Sequence, residues 1–335
     1  MKKILALILA ALMLLSLAAC GSKDTTTPGG SEQPEDTTPT DAGTSVDMWR
    51  IGTASMTGNF YTIGSAIAQM VNNCMDGEEA AAQATGGSAD NCWLLEDKEI
   101  ELALIQSATA KQAIDAQDAF DGHPITMMRG IGVTQLNTFH CIVNKNSGVE
   151  EIKDLAGKKI GVGPMGGGVE VNANILLSEF GVTDFTPIYG TMGEALEQVQ
   201  TGEVDCVIYA TTMGSANVSD CLDSGKCKLL GMSAEKAAEI CANRTEFGPA
   251  SIPANTYKDQ GEEIATFAGT CLILTRDDIS EEEVYQFTKA FYENHDYLVS
   301  QNALFTEITP DLATVGMCVP FHPGAERYLK EQGIL

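Results

Sequence analysis

Three loops of glycine and small hydroxyl residues each precede a segment with helical periodicity, at residues 55–59, 85–88 and 163–168. The first turn of a helix carries unpaired backbone N–H groups and about half a positive charge, which suits a carboxylate. Small side chains also let a ligand approach the backbone closely. Each loop taken singly could be a plain turn between a strand and a helix. Three loops in equivalent places favour a binding site for a small anionic solute.

Short apolar runs alternate with amphipathic segments from Met48 onward. Residues 48–55 predict a strand, and residues 58–74 predict a helix whose apolar side chains recur at helical spacing. Strands that alternate with helices predict an α/β fold in which most strands pair in parallel. Two such clusters, before and after about residue 140, predict two lobes.

Composition limits the classes of protein to which the chain can belong. It has 335 residues, 44% of them hydrophobic, which is enough for one large or two medium domains with real cores. The 46 Asp and Glu against 20 Lys and Arg give a formal charge of −26. This balance argues against binding to nucleic acid or to an anionic lipid surface. It does not exclude a small anionic ligand, because local donors decide such binding.

The N-terminal residues 1–20 have the pattern of an export signal. Two lysines precede an apolar run at 4–17, too short for a comfortable membrane span, and the string LAAC resembles a bacterial lipobox ending at Cys20. We expect an exported protein held at the outer face of the cell membrane by lipid on Cys20. Residues 21–47, rich in Thr, Pro and acidic residues, predict a flexible tether. In the alternative, residues 1–20 are an ordinary secretory signal and Cys20 is incidental.

Cysteines are numerous, with ten in the chain and therefore an odd number besides Cys20, so they cannot all pair. Cys141 and Cys206 are among those that lie in apolar strand-like runs, where cysteine behaves as a small core residue. No CxxC motif occurs, and the spacing matches no zinc site. Cys221 and Cys227 are the most plausible local disulfide pair. The sequence leaves open whether any disulfide forms.

Signals for catalysis are weak. Residues 161–166 match the GxGxxG pattern of dinucleotide sites, but Pro164 occupies the turn. The acidic residue at about the expected distance, Asp184, precedes the next predicted strand, whereas an acid that binds the ribose should follow it. No P-loop, GxSxG or HExxH motif occurs, and the four His residues are scattered. We therefore expect a protein that is not an enzyme, with no catalytic residue, metal or cofactor.

An ordered set of motifs is more specific. In chain order the motifs are SMTGNFYTIGSAIA, ATGGSADNCWLLEDKEIELALIQS, DLAGKKIGVGPMGGGVEVNA, TGEVDCVIYA, IPANTYKDQ and VPFHPGAERYLKEQG. Together they resemble the TAXI family, the extracytoplasmic solute receptors of one branch of the tripartite ATP-independent periplasmic (TRAP) transporters, over residues 49–335. The resemblance implies a two-lobed fold of the type II periplasmic-binding-protein kind. Each lobe is then a mainly parallel sheet flanked by helices, and the lobes close over a solute about a hinge.

The resemblance also assigns cleft residues, position by position. They lie in the first loop and helix start, a Gly-Ser-x-x-Asn segment, a Gln-Ser pair, the glycine loop of the second lobe and the end of a later strand. They are Gly58, Asn59, Tyr61, Gly87, Ser88, Asn91, Gln106, Ser107, Gly166, Gly167, Gly168 and Thr211. The chain departs from the family pattern at the cleft. Ala108 replaces the usual Asp, Thr211-Thr212 replaces Gly-Pro, and residues 166–169 lack both hydroxyls of the usual Gly-Ser-Gly-Thr.

The resemblance further implies a TRAP permease partner that uses an ion gradient, and a solute such as glutamate, glutamine or a dicarboxylate. We expect a monomer with lobe 1 at residues 48–139 and 257–335, and lobe 2 at 140–256. The alternative is a protein of the same fold that works elsewhere, as an ABC-type binding protein or an exported sensor domain. Both alternatives keep solute binding.

Overall fold

The structure, a computed structural model, describes residues 43–56 and 58–335. The predicted signal segment, Cys20 and residues 21–42 of the predicted tether lie outside the described residues. The last tether residues belong to the folded part, since the Thr44 N–H donates to the Asp278 carbonyl at 2.7 Å and the Val46 N–H donates to Glu283 Oε1 at 2.9 Å. The folded part therefore begins earlier than the predicted Met48, because these donors find partners far along the chain. No helix in the described part of the chain is long and apolar enough to cross a membrane.

Strands and helices alternate along the chain, as predicted. Apolar side chains recur at helical spacing and are buried, as Ile63, Ile67 and Met70 are in the first helix. In chain order the elements are β1 Trp49–Gly52, α1 Asn59–Cys74, β2 Ala80–Gln83, α2 Ser88–Glu96, β3 Leu102–Gln106, α3 Ser107–Ile114, β4 Met128–Asn144, β5 Lys159–Gly163, α4 Gly168–Glu179, β6 Thr186–Tyr189, α5 Met192–Thr201, β7 Cys206–Thr211, α6 Ala216–Asp223, β8 Cys227–Leu230, α7 Ala234–Asn243, β9 Phe247–Ile252, β10 Ile264–Arg276, α8 Glu281–Glu293, α9 His295–Gln301 and α10 Pro323–Glu331.

Strand β4 differs from its sequence prediction. Its 17 residues form one continuous strand, whereas the sequence predicts two strands, at residues 125–133 and 137–144. The polar residues at that predicted break, Gln135 and Asn137, stay in the ladder opposite Cys271 and Gly269 of β10. Both are buried. The polar interruption is therefore a buried stretch in mid-strand and not a turn.

The sheet consists of two parallel groups joined by two long strands. Its order is β2-β1-β3-β10-β4-β7-β5-β6, with β8 and β9 pairing to β4 and β10. The groups β2-β1-β3 and β7-β5-β6 are each parallel, while β4 and β10 are antiparallel to each other. β4 pairs with β10 over 128–138 and with β7 over 138–143, so one strand serves both groups. The chain thus crosses between the groups along β4 and again along β10.

Each strand group has its own hydrophobic core. In lobe 1, Trp49 packs against Phe287 with ring centroids 5.1 Å apart. Around β5 and β7, Phe139 of β4 packs against Phe267 of β10 with centroids 4.1 Å apart. Burial of such side chains contributes about 1.5–3 kcal/mol each. Two cores that share β4 and β10 give two lobes; the exact residue limits of the lobes stay a prediction.

Candidate functional site

The starts of three helices meet where the two lobes touch. Helices α2 and α3 begin beside the ends of strands in lobe 1, and α4 begins after β5 in lobe 2. A β-carbon placed on Gly168, the first residue of α4, would lie 2.4 Å from Gln106 Cγ and 2.8 Å from Ser88 Oγ. Only glycine permits this approach, because a real β-carbon essentially never lies so close to another heavy atom. The structure therefore brings together three predicted site residues, Ser88, Gln106 and Gly168.

A buried hydrogen-bond network extends from this contact, and we call it the interlobe polar cluster. It consists of Ser88, Gln106, Gln135, Asn137 and Asn172. Ser88 Oγ accepts the Gln106 N–H at 3.1 Å. Gln106 Oε1 accepts from Asn137 Nδ2 at 3.1 Å and from Asn172 Nδ2 at 3.2 Å. Gln135 Nε2 donates to Asn137 Oδ1 at 2.5 Å. Lobe 1, lobe 2 and the shared strand β4 all contribute to one network.

Two carbonyl oxygens of this cluster accept no hydrogen bond in the described chain, Gln135 Oε1 and Asn172 Oδ1. The exposed fractions of Gln135 and Asn172 are only 4% and 1%. A buried acceptor without a donor costs about 1–3 kcal/mol. Each of these two oxygens can therefore still accept a hydrogen bond from a group outside the chain.

Sequence reasoning missed Gln135, Asn137 and Asn172. Gln135 and Asn137 carried a usable signal, because both interrupt a long apolar run. Since alternate residues of a strand share a face, the two side chains point the same way. Asn172 lies on α4 and carried no comparable signal.

Two predicted site residues spend their side-chain hydrogen bonds on partners within the chain. Asn91 Nδ2 donates to the Thr53 and Leu104 carbonyls, both at 2.8 Å, and its Oδ1 accepts from a threonine hydroxyl. Ser107 Oγ donates to the Glu246 carbonyl at 2.9 Å and accepts a backbone N–H from β10. Because these polar atoms already have partners inside the chain, Asn91 and Ser107 support the cluster and offer no free hydrogen-bonding group to a ligand.

The glycine loop before α4 supplies fewer free donors than predicted. The Gly166 N–H donates to Glu170 Oε2 at 2.6 Å, and the Gly167 N–H donates to the Pro164 carbonyl at 3.0 Å. Glu170 also accepts the Tyr189 hydroxyl at 2.9 Å. A carboxylate of the chain itself therefore occupies part of the loop that was predicted to bind a ligand carboxylate.

The first loop does not join the interlobe polar cluster through any described hydrogen bond. The Gly58 N–H donates to the Ser55 carbonyl at 2.9 Å, and the Gly58 carbonyl accepts from Tyr61 N–H at 3.2 Å. Asn59 and Tyr61 are half-buried at the start of α1. The second loop lies nearer to the cluster, because its Gly87 directly precedes Ser88. Gly87 has a left-handed φ of 105°.

A buried His–Tyr pair fixes the loop that follows Thr211, the last residue of β7. Thr211 pairs with Thr138 of β4, next to Asn137 in the cluster. His140 Nδ1 donates to the Thr138 carbonyl at 2.8 Å, and its Nε2 accepts the Tyr257 hydroxyl at 2.7 Å. Burial lowers the pKa of His140 to about 4. The neutral ring can therefore accept from Tyr257 at neutral pH, and the Tyr257 oxygen in turn accepts the N–H of Gly214 at 3.0 Å.

A cleft of about 700 Å³ opens beside the interlobe polar cluster, between α3, α4 and α7. Its wall contains Thr109, Glu170 and Arg244 among others. Arg244 Nε pairs with Glu179 Oε1 at 2.6 Å, so its charge is already matched. Arg50 and Arg129 lie near the first residues of β1 and β4. They form ion pairs with Glu101 and Asp277. Within the described residues, no group of three or more His, Cys, Asp or Glu is placed to hold a metal ion.

A model of the NMT1-like family matches residues 51–333. The chain belongs to the NMT1-like family. The TAXI receptors are a narrower group than the family that this match shows.

Solved structures share the fold of this NMT1-like protein. A protein from Bordetella bronchiseptica RB50 is 12% identical, with a TM-score of 0.54, and the match covers 86% of this chain and 98% of that one. MatC from Rhodopseudomonas palustris, with bound malate, is 13% identical, with a TM-score of 0.53 and coverage of 85% and 96%. A Xanthomonas citri protein bound to ATP is 8% identical, with a TM-score of 0.53 and coverage of 85% and 95%. These likenesses confirm the predicted two-lobed fold of the periplasmic-binding-protein type.

Proposed function

We propose that this NMT1-like protein is an extracytoplasmic solute receptor that captures one small molecule between its lobes. The observation that carries the proposal is the interlobe polar cluster with its two unmatched acceptors. Its members come from both lobes and from β4, so the cluster is complete only when the lobes meet. A solute that supplies the missing donors would favour the closed form, since a ligand shifts an equilibrium toward the state it binds better.

The chemistry of the cluster favours a zwitterion over a dicarboxylate. Gln135 Oε1 and Asn172 Oδ1 need N–H or O–H donors, and an ammonium group supplies three. The start of α2 at Ser88 suits a carboxylate, because its first backbone N–H groups are unpaired within the helix. An amino acid such as glutamate or glutamine has both groups. Because MatC was solved with malate, a dicarboxylate, dicarboxylates are tested beside amino acids.

We also propose that the receptor delivers its solute to a TRAP permease and is anchored by lipid on Cys20. The ordered TAXI-like motifs and the export-signal pattern of residues 1–20 support this part. Metabolic labelling with a palmitate analogue, with Cys20→Ala as the control, tests the anchor. Transport in vesicles holding the permease from the same gene neighbourhood tests the partner. Uptake that needs ATP, or a neighbouring kinase and no permease, would favour the ABC-type or sensor alternative.

Calorimetry of the full chain against single amino acids and dicarboxylates tests solute capture. One saturable site for an amino acid, with compaction seen by small-angle scattering, is the expected result. Asn172→Ala should weaken binding, while Asn217→Ala, an exposed asparagine on α6 that does not line the cleft, should not. Equal affinities of these two variants would refute the mapping of the site. Absence of binding to every compound would refute solute capture in this class.

A further inference from the structure

Two cysteines of lobe 2 lie against each other outside the solute site. Cys221 lies near the end of α6, and Cys227 is the first residue of β8. Both are free thiols buried in one apolar cluster, and they hydrogen-bond to each other. Cys221 Sγ also lies 3.7 Å from the Leu196 carbonyl oxygen. The turn between them is short enough for its two ends to bring the thiols together.

A cavity gives access to one of the two cysteines. It measures about 370 Å³, and its wall includes Cys227, Lys145, Lys228 and Lys258. Lys145 Nζ donates to the Gly225 carbonyl at 2.8 Å, which fixes its ammonium group beside the turn that leads to Cys227. The wall also contains Asp259 and Glu262, so a small reagent can meet Cys227 in a setting where three lysines face two acidic residues.

The two thiols differ in acidity. The hydrogen bond from Cys221 lowers the pKa of Cys227, and the charges of Lys145 and Lys226 lower it further. The same interaction, together with burial, raises the pKa of Cys221. Thiolate is the nucleophilic form of cysteine, and Cys227, unlike Cys221, lines the cavity, so Cys227 is the attacking group and Cys221 the resolving group.

We propose that Cys221 and Cys227 form a redox-active dithiol that a small-molecule disulfide oxidises through the lysine-lined cavity. The Cys227 thiolate attacks one sulfur of oxidised glutathione, forms a mixed disulfide and releases one glutathione thiolate. The Cys221 sulfur then attacks Cys227 Sγ, and the second glutathione leaves with the Cys221 proton. Two protein thiols are oxidised to one disulfide, and one glutathione disulfide is reduced to two thiols. The new bond ties the end of α6 to β8.

The chain contains a matched control pair. Cys141 and Cys206 lie on neighbouring strands with their sulfur atoms 3.5 Å apart, both buried. Burial raises the pKa of Cys206 well above its usual value. Neither residue lines the cavity beside Cys227. Cys141 and Cys206 are therefore a close sulfur pair without access, whereas Cys227 of the other pair lines a cavity.

The test is a redox titration of the full chain. The protein is reduced with dithiothreitol, incubated with oxidised glutathione, alkylated and mapped by mass spectrometry. We expect a disulfide between Cys221 and Cys227, with Cys141 and Cys206 alkylated. The thermal midpoint should rise by roughly 2–5 °C on oxidation, since closing a short loop constrains the unfolded chain. This rise should be absent in Cys227→Ser.

The lysines supply a second test that does not depend on a cysteine variant folding. Lys145→Gln should slow the oxidation, whereas Lys258→Gln, which changes the same cavity without acting on Cys227 acidity, should not. Equal rates in these two variants would overturn the proposed role of the cavity charges. Oxidation of Cys141 and Cys206 first, a glutathione adduct that stays on Cys227, or no Cys221–Cys227 disulfide would overturn the proposal. None of these outcomes depends on solute binding.

Discussion

Gly168→Ala tests whether contact between the lobes at the start of α4 is needed for solute binding. The added β-carbon would lie 2.4 Å from Gln106 Cγ and 2.8 Å from Ser88 Oγ, and both partners are buried. Overpacking of this kind costs about 1–3 kcal/mol. The clash is made only where the two lobes meet, so opening of the cleft relieves it. The cost therefore falls on the closed, ligand-holding form.

The expected result is a loss of affinity with little loss of fold stability. A cost of about 1–3 kcal/mol corresponds to a Kd raised by roughly 5-fold to 150-fold. Calorimetry with the amino acid that binds the unmodified chain measures this change. Scattering should show less compaction at saturating ligand, and the thermal midpoint without ligand should change little.

Gly193→Ala is the matched control. Gly193 lies on α5 of the same lobe, and a β-carbon added there would have no other atom within 4 Å. Alanine in a helix is favoured over glycine by about 0.5–1 kcal/mol, so this variant should be slightly more stable and bind normally. If a folded Gly168→Ala protein binds as tightly as Gly193→Ala, the lobes do not close at this contact and the reasoning fails.

Three further predictions concern hydrogen bonds and buried charges. Asn172→Ala removes one cluster hydrogen bond and should raise Kd by the equivalent of about 0.5–1.5 kcal/mol, measured by calorimetry beside Asn217→Ala. Burial raises the pKa of Glu101, but hydrogen bonds from Arg50 lower that pKa overall. The ionised Glu101 therefore stabilises the fold above the ordinary carboxyl pKa, and this stabilisation is lost as the pH falls through the lowered pKa. Glu101→Gln should flatten acid unfolding there in denaturant titrations, and an unchanged profile would contradict this role. Burial lowers the pKa of His140 to about 4. As the pH falls from about 6.5 to about 4, the unfolded chain binds a proton at this residue that the folded chain does not, so the free energy of unfolding should decrease. His140→Gln should remove this pH dependence.

The sequence by itself determined the alternation of strands and helices, because hydrophobic periodicity is a local property. It also located the loops from which Ser88 and Gly168 come, since glycine and hydroxyl residues before a helix are a local signal, whereas Gln106 came from the family resemblance. The structure then decided which of these residues meet. Asn91 and Ser107 resemble ligand-binding residues along the sequence, yet their hydrogen bonds go to backbone groups of other strands.

Only the tertiary structure showed that β4 runs through both lobes and carries Gln135 and Asn137 to the point where they close. A polar interruption in an apolar run predicts a break between strands when neighbours along the chain are all that is known. It becomes a buried cluster only when β10, α4 and β3 bring partners from distant positions. Local propensity therefore fixes the elements, whereas the site depends on long-range packing that no single segment of sequence contains.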